Sequence, residues 1–239
     1  MEISLGCVTS VNEVFIMTLA KALKLNVAET HYDAELCAAI IARYDREMIA
    51  GQLKRTHQND LCQSLGVPSS KKYEAEGGPS LVECFNVVLK QSSQPAKDKK
   101  WLIEWVIFNL LVGNMDSHAK NLSLMSVTNK RELTPFYDLV CTAVYPNLSQ
   151  KFAFKIGGEN RSDWIILRHW ERFANDIETK PKIVFNIITD MTNRMDKVLP
   201  IVVAQLKAQQ LLVDESLMVS KIEKLIRSRV SKMRIRVAS

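Results

Sequence analysis

The chain has 239 residues, enough to bury the core of one large domain or of two closely packed lobes. Its 47% hydrophobic and 24% charged residues, with 8 Gly and 7 Pro, exclude a disordered or fibrous protein. The formal charge of +6 is local: from Lys221 onward seven basic residues (Lys221, Lys224, Arg227, Arg229, Lys232, Arg234, Arg236) face one acid, Glu223, and the rest of the chain is neutral overall.

Ser10-Val11-Asn12-Glu13 is a capping-box pattern, followed by Ile16, Leu19, Ala20 and Leu23 at helical spacing, which predicts an amphipathic helix ending near Leu25-Asn26. Two β-rich runs, 27–32 and 36–44, joined by Asp33-Ala34-Glu35, read as an antiparallel hairpin. From there the pattern turns helical, with a short helix near 59–65, a Gly77-Gly78-Pro79 break and a helix over 81–89. Residues 92–100 are polar, contain a Pro and read as a surface connection; 101–112 are apolar on nearly every face and predict a buried helix capped by Gly113. Leu122, Leu124 and Leu133, across the polar stretch 127–131, predict a second hairpin that ends at Pro135-Phe136-Tyr137-Asp138. The last hundred or so residues read as mostly helical, with apolar faces on 164–173, 184–199 and 217–230 and a kink or break at Pro200.

Phosphoryl transfer needs a carboxylate to orient the attacking hydroxyl and metal ligands to neutralise charge between the β- and γ-phosphates; protein kinases use an Asp, an Asn five residues later, and a further Asp one hairpin downstream. Asp116 stands five residues before Asn121, and Asp138 follows the predicted hairpin. In that scheme Asp116 positions the Ser or Thr hydroxyl or accepts its proton, Asn121 and Asp138 hold Mg²⁺, and Lys120 is placed to neutralise phosphate charge. Taken alone, such an Asp and Asn pair is as compatible with a helix cap or a turn.

The wider context carries more. The stretch from Phe108 through Asp116-Ser117-His118-Ala119-Lys120-Asn121 to Ser123, followed by Leu133-Thr134-Pro135-Phe136-Tyr137-Asp138-Leu139, closely resembles the catalytic core of the HipA-type serine/threonine protein kinases. Arg43-Tyr44-Asp45-Arg46, the run from His57 to Gly66, Lys72-Tyr73-Glu74 with Gly77-Gly78-Pro79, and Lys155-Ile156-Gly157-Gly158 resemble the same family, so the likeness covers essentially the whole chain. It implies a mainly α fold with small β-hairpins, an α+β kinase-like helical lobe over 51–239 preceded by a remnant of the N-lobe and hinge over 1–50. It also implies an ATP and Mg²⁺ site: Ala42, Arg43 and Tyr44 match the segment that meets the adenine, and His118, Ala119, Lys120, Asn121, Tyr137 and Asp138 match the phosphate and metal side. The family's setting would be a bacterial toxin–antitoxin pair, with a helix-turn-helix antitoxin as partner, contact with DNA only through that antitoxin, and an aminoacyl-tRNA synthetase as protein substrate.

Only nine residues precede Ser10, and no Gly-rich phosphate loop or matching strand lysine occurs in the 239 residues. The expectation is therefore a fragment, a split kinase whose N-terminal part is a separate chain, or a degenerate kinase acting as an antitoxin- or target-binding module. Glu13 reads as a capping residue rather than as the acidic partner of the absent lysine. Ala42 and Asn59 stand where the family often has Glu. The basic C-terminal run reads as a solvated helix face rather than a DNA-binding surface. His57 and His169 are isolated, and Cys7, Cys37, Cys62, Cys84 and Cys141 form no Cys-x-x-Cys pair, so neither a zinc site nor a disulfide framework is expected. A reducing cytoplasm is the simplest setting: the most apolar run, 101–113, is well short of the roughly 20 residues that span a bilayer, and no signal-peptide pattern opens the chain.

Overall fold

The computed structural model describes residues 5–127 and 130–238. Helix α1 spans Leu5–Ala22, so it starts before the capping-box pattern. Ser10 is interior to it: its hydroxyl donates to the Gly6 carbonyl at 2.9 Å, a bond one turn back that a helix interior permits and a cap does not use. The helix ends in a Schellman arrangement, with Lys24 left-handed (φ 62°) and the Leu25 and Lys24 amides donating to the carbonyls of Ala20 and Lys21.

Strands β1 (Thr30–Asp33) and β2 (Ala38–Ile41) form the expected hairpin, Thr30 opposite Ile41, with shorter strands than the apolar runs suggested. The Asp33 carboxylate fixes its turn by accepting the Glu35 and Leu36 amides at 3.0 and 2.9 Å. A hairpin that the sequence did not announce follows, β3 (Arg46–Ile49) and β4 (Gln52–Arg55), where a helical trend was expected. Ala50 and Gly51, both at positive φ (49° and 78°), make its two-residue turn.

Strand β5 (Gln58–Asp60) leads into α2 (Leu61–Ser64), which is closed by a capping box between Asp60 and Gln63. Helix α3 (Leu81–Gln91) opens on the corresponding box of Ser80 and Glu83. Helix α4 runs Pro95–Val112, so most of the expected surface connection is helix. Pro95 sits in its first turn, where the missing amide costs nothing. Asp98, in that polar stretch, is wholly buried: its carboxylate accepts the Ser92 hydroxyl at 2.6 Å and the Leu133 amide at 3.0 Å.

Strands β6 (Ser123–Val127) and β7 (Lys130–Leu133) pair as expected, Leu124 opposite Leu133, and β5 joins on the far side to give the order β5-β6-β7. A further hairpin, β8 (Lys151–Ile156) with β9 (Glu159–Arg161), interrupts the region expected to be helical. Gly157 at its turn is obligatory on two counts: φ is 54°, and a Cβ there would lie 2.1 Å from the His169 carbonyl oxygen.

The last three helices are α5 (Leu167–Asp176), α6 (Pro181–Lys207) and α7 (Val213–Ala238). Pro200 lies inside α6 rather than ending it, at an exposed position of the helix. Helices α1, α4, α6 and α7 pack on one another around one core that includes Phe15, Trp105, Phe108, Met195 and Ile222. The fold class is thus as expected, mainly helical with small antiparallel sheets. The C-terminal basic residues are not simply a solvated face: Arg229 donates to the Leu110 carbonyl at 2.8 Å, Arg234 pairs with Asp196 at 2.6 Å, and Arg236 and Lys232 both reach Asp163, at 2.9 and 3.4 Å. No described helix is long and apolar enough to cross a membrane.

Candidate active site

The site forms where α4 ends. Its last residues are buried on every side, so the chain must leave the core abruptly, and Gly113 makes the turn at φ 75° with its amide on the Asn109 carbonyl. A Cβ at Gly113 would lie 2.9 Å from that of Ala143 and 3.1 Å from Leu225 Cδ2. Gly113→Ala is therefore expected to cost about 2 kcal/mol, from left-handed strain plus the clash, read as a lowered urea midpoint with an unchanged slope.

Two polar side chains then set the loop. Asn114 Nδ2 donates to Asn109 Oδ1 at 2.8 Å, while its Oδ1 accepts the Asp116 amide at 3.2 Å. Thr142 Oγ1 accepts the Met115 amide at 2.7 Å and donates to the Gly113 carbonyl at 3.3 Å. Asp116 projects from this scaffold with its side chain 47% exposed, a carboxylate held by its backbone and presented to solvent.

Around Asp116 Oδ1 stand the Tyr73 hydroxyl, which donates to it, Lys72 Nζ at 4.0 Å and His118 Nε2 at 3.9 Å. Burial, the Asp116 hydrogen bond and the Asp116 charge all push the Tyr73 phenol well above its ordinary value, so it stays a donor. His118 is 5% exposed, its ring edge-on to that of Tyr73 at 5.4 Å between centroids, and its Nδ1 is buried with no hydrogen-bond partner. Burial, and secondarily Lys72, lower its pKa, which keeps the imidazole neutral at pH 7.

On the other side of the loop, one 3-10 turn over Ala119–Asn121 brings the Asn121 amide back. Its Oδ1 accepts the His118 amide at 2.9 Å and its Nδ2 donates to Asp138 Oδ2 at 2.6 Å, so the hairpin does return Asp138 to the mouth that holds Asn121. Asp138 takes a positive φ of 56°, a sparsely populated conformation for a residue with a side chain. Tyr137 beside it is fixed by donating to the Lys120 carbonyl at 2.8 Å, and its ring lies 6.4 Å from that of Tyr44. Tyr44 thereby joins the segment 42–44 to this mouth. Ala42 is anchored by its amide to the Glu29 carbonyl at 2.8 Å, and Arg43 turns to Asp45 with bonds of 2.8 and 2.7 Å. The Lys120 ammonium acts electrostatically on Cys62 in α2, opposing the rise that burial imposes on that thiol.

Glu13 also belongs here, not to a cap. It is partly buried midway along α1, and its pKa is raised by burial and then by the charge of Asp138. Asp138, Glu13 and the Asn121 amide are oxygen donors of the kind Mg²⁺ takes, and among the described residues no cluster of three or more His, Cys, Asp or Glu suits a tighter metal cage. A hard cation that keeps several waters and binds mainly through phosphates fits such a sparse set. Asn121 would turn its amide over to present oxygen beside Asp138.

The sequence singled out Asp116, Asn121, Asp138 and Tyr137 for this mouth, and they are together. It missed the roles of Tyr73 and Lys72, quoted only within a longer motif, and of Asn114 and Thr142, whose contacts are tertiary.

Comparison with known proteins places this geometry. The family model described as HipA-like C-terminal domain matches residues 5–199. The putative kinase Y4mE of Sinorhizobium fredii is 38% identical over 188 residues, covering 77% of this chain and 45% of that protein. The serine/threonine-protein kinase toxin HipA of Shewanella oneidensis is 31% identical over 212 residues, covering 82% and 48% respectively. Among solved structures, the Shewanella oneidensis HipA, HipB and operator DNA complex aligns with a TM-score of 0.86 at 27% identity, covering 96% of this chain and 57% of the matched one. The chain thus spans about half the length of the relatives it matches.

Proposed function

The chain belongs to the HipA-like C-terminal domain family, and we propose that it is the catalytic lobe of a serine/threonine protein kinase that transfers the ATP γ-phosphate to a protein hydroxyl. The observation that carries this reading is the single mouth shared by a loop-held, solvent-facing Asp116 and a contacting Asn121 and Asp138 pair. Asp116 would receive the acceptor hydroxyl as hydrogen-bond acceptor and general base. Asn121 and Asp138, with Glu13 behind them, would hold Mg²⁺, whose chemistry is to neutralise charge building between the β- and γ-phosphates. The adenine would lie against the 42–44 segment near the paired rings of Tyr44 and Tyr137.

In this reading residues 1–50 are the end of an N-lobe and hinge and 51–239 the C-lobe, working in the cytoplasm with a helix-turn-helix antitoxin as partner. The similarity to the HipA chain solved in complex with HipB and operator DNA supports an antitoxin of that kind. An aminoacyl-tRNA synthetase is the proposed protein target. A second reading, a non-catalytic module that binds antitoxin or target, is favoured by one contact: the Tyr73 hydroxyl already occupies one of the two Asp116 carboxylate oxygens.

The test is Mg²⁺-dependent transfer from labelled ATP by this chain alone and mixed with the products of neighbouring genes, with Asp116→Ala as control. Transfer that Asp116→Ala abolishes is expected. Transfer in the mixture alone identifies a split kinase, and none under either condition overturns the enzyme reading.

A further inference from the structure

A cavity of about 390 Å³ opens against Asp116, with neither Asn121 nor Asp138 in its lining. Its floor is apolar and buried: Met115 is 4% exposed, Phe152 1% and Ala153 8%. The mouth is bordered by the exposed Leu148 and by Glu76 and Lys151, charges of opposite sign, and Asp116 adds one negative charge to the lining.

The walls are held in place before anything binds. One is the segment that carries Tyr73 to Glu76, the other is β8. Glu74 ties the two, its carboxylate accepting the Lys155 amide at 2.8 Å and lying 3.8 Å from Lys155 Nζ. A preformed apolar hole costs little ordering to fill.

We propose that this cavity receives a large apolar side chain of the protein substrate, of the leucine, methionine or phenylalanine kind, carried within two residues of the phosphoacceptor serine or threonine. The inference rests on the kinase reading above for the role of Asp116, and on the cavity itself for the ligand. Asp116 is part of the lining, so a chain that brings its hydroxyl to that carboxylate lies across the opening. An extended chain advances about 3.3 Å per residue, which keeps neighbours within two positions inside reach of the hole. An apolar floor favours burial of hydrocarbon and penalises a buried charge.

The experiment is fluorescence anisotropy of short labelled peptides with a central serine, varied to Leu, Phe, Ala, Asp or Lys at each of the two positions before and after it. The 239-residue chain is expected to bind the Leu and Phe peptides about tenfold or more tighter than the Ala peptide at one of those positions. Leu148→Asp, a change at an exposed rim, and Ala153→Leu, which fills the hole, should each abolish that preference. Equal binding across the series, no measurable binding to any peptide, or a preference that survives Leu148→Asp overturns the proposal. A preference that holds while neither the chain alone nor the mixture with neighbouring gene products transfers phosphate from ATP overturns the kinase reading and leaves the cavity assignment standing.

Discussion

Replacing Asp116 by asparagine is expected to lower phosphotransfer by roughly 10²- to 10⁴-fold, the range that a positioned general base contributes, with little change in fold or nucleotide affinity. Position and charge separate cleanly at this residue. Its backbone is set by Asn114 and Thr142, neither of which touches the Asp116 carboxylate, so the asparagine side chain would project as the aspartate does. An amide oxygen would still accept from Tyr73. Lys72 at 4.0 Å makes a weak ion pair with a side chain that is 47% exposed, and the neutral His118 at 3.9 Å makes none, so neither is worth much to stability. What disappears is the capacity to take a proton. Labelled-phosphate transfer measures the loss, in whichever mixture supports the unsubstituted chain, and anisotropy of a fluorescent ATP analogue with a thermal melt measures what stays. Transfer at the unsubstituted rate would move the base elsewhere, His118 being the nearest other candidate.

The Asp116, Asn121 and Asp138 constellation was legible because it follows from chain order and two strong local signals, a helix apolar on every face and a hairpin with alternating leucines. Those signals fix where the loop leaves the core and where it returns. Other parts lack such a signal for definable reasons. All eight residues of β3 and β4 are exposed, so no buried face imposes a period of two. In β8 the consecutive Phe152, Ala153 and Phe154 are all buried, which removes alternation and resembles a helix fragment. Asp98 reads as polar surface because its three oxygen contacts come from Ser92, Gln94 and a strand 35 residues away. The start of α1 was misplaced because Ser10 and Glu13 match a capping box by spacing. Glu13 instead feels the charge of Asp138, a relation across the fold that no local pattern contains.

Asn12 follows from the same misreading, and Asn12→Ala is expected to lower the unfolding free energy by about 3 kcal/mol. The side chain is fully buried in α1 and closes a two-way bridge to the chain beyond Asp138: Nδ2 donates to the Cys141 carbonyl at 3.0 Å and the Tyr145 hydroxyl at 3.2 Å, and Oδ1 accepts the Cys141 amide at 2.8 Å. Alanine leaves a buried backbone donor and acceptor unpaired, at about 1–3 kcal/mol each before relaxation, and adds a small void. Urea denaturation reads the effect as a lower midpoint with an unchanged slope. The same substitution should reduce phosphotransfer, because Cys141 adjoins Thr142, whose hydroxyl sets Met115 and hence Asp116. A loss of stability below about 1 kcal/mol would mean that the Cys141 amide and carbonyl find other partners, so that α1 does not brace the loop between Asp138 and Thr142.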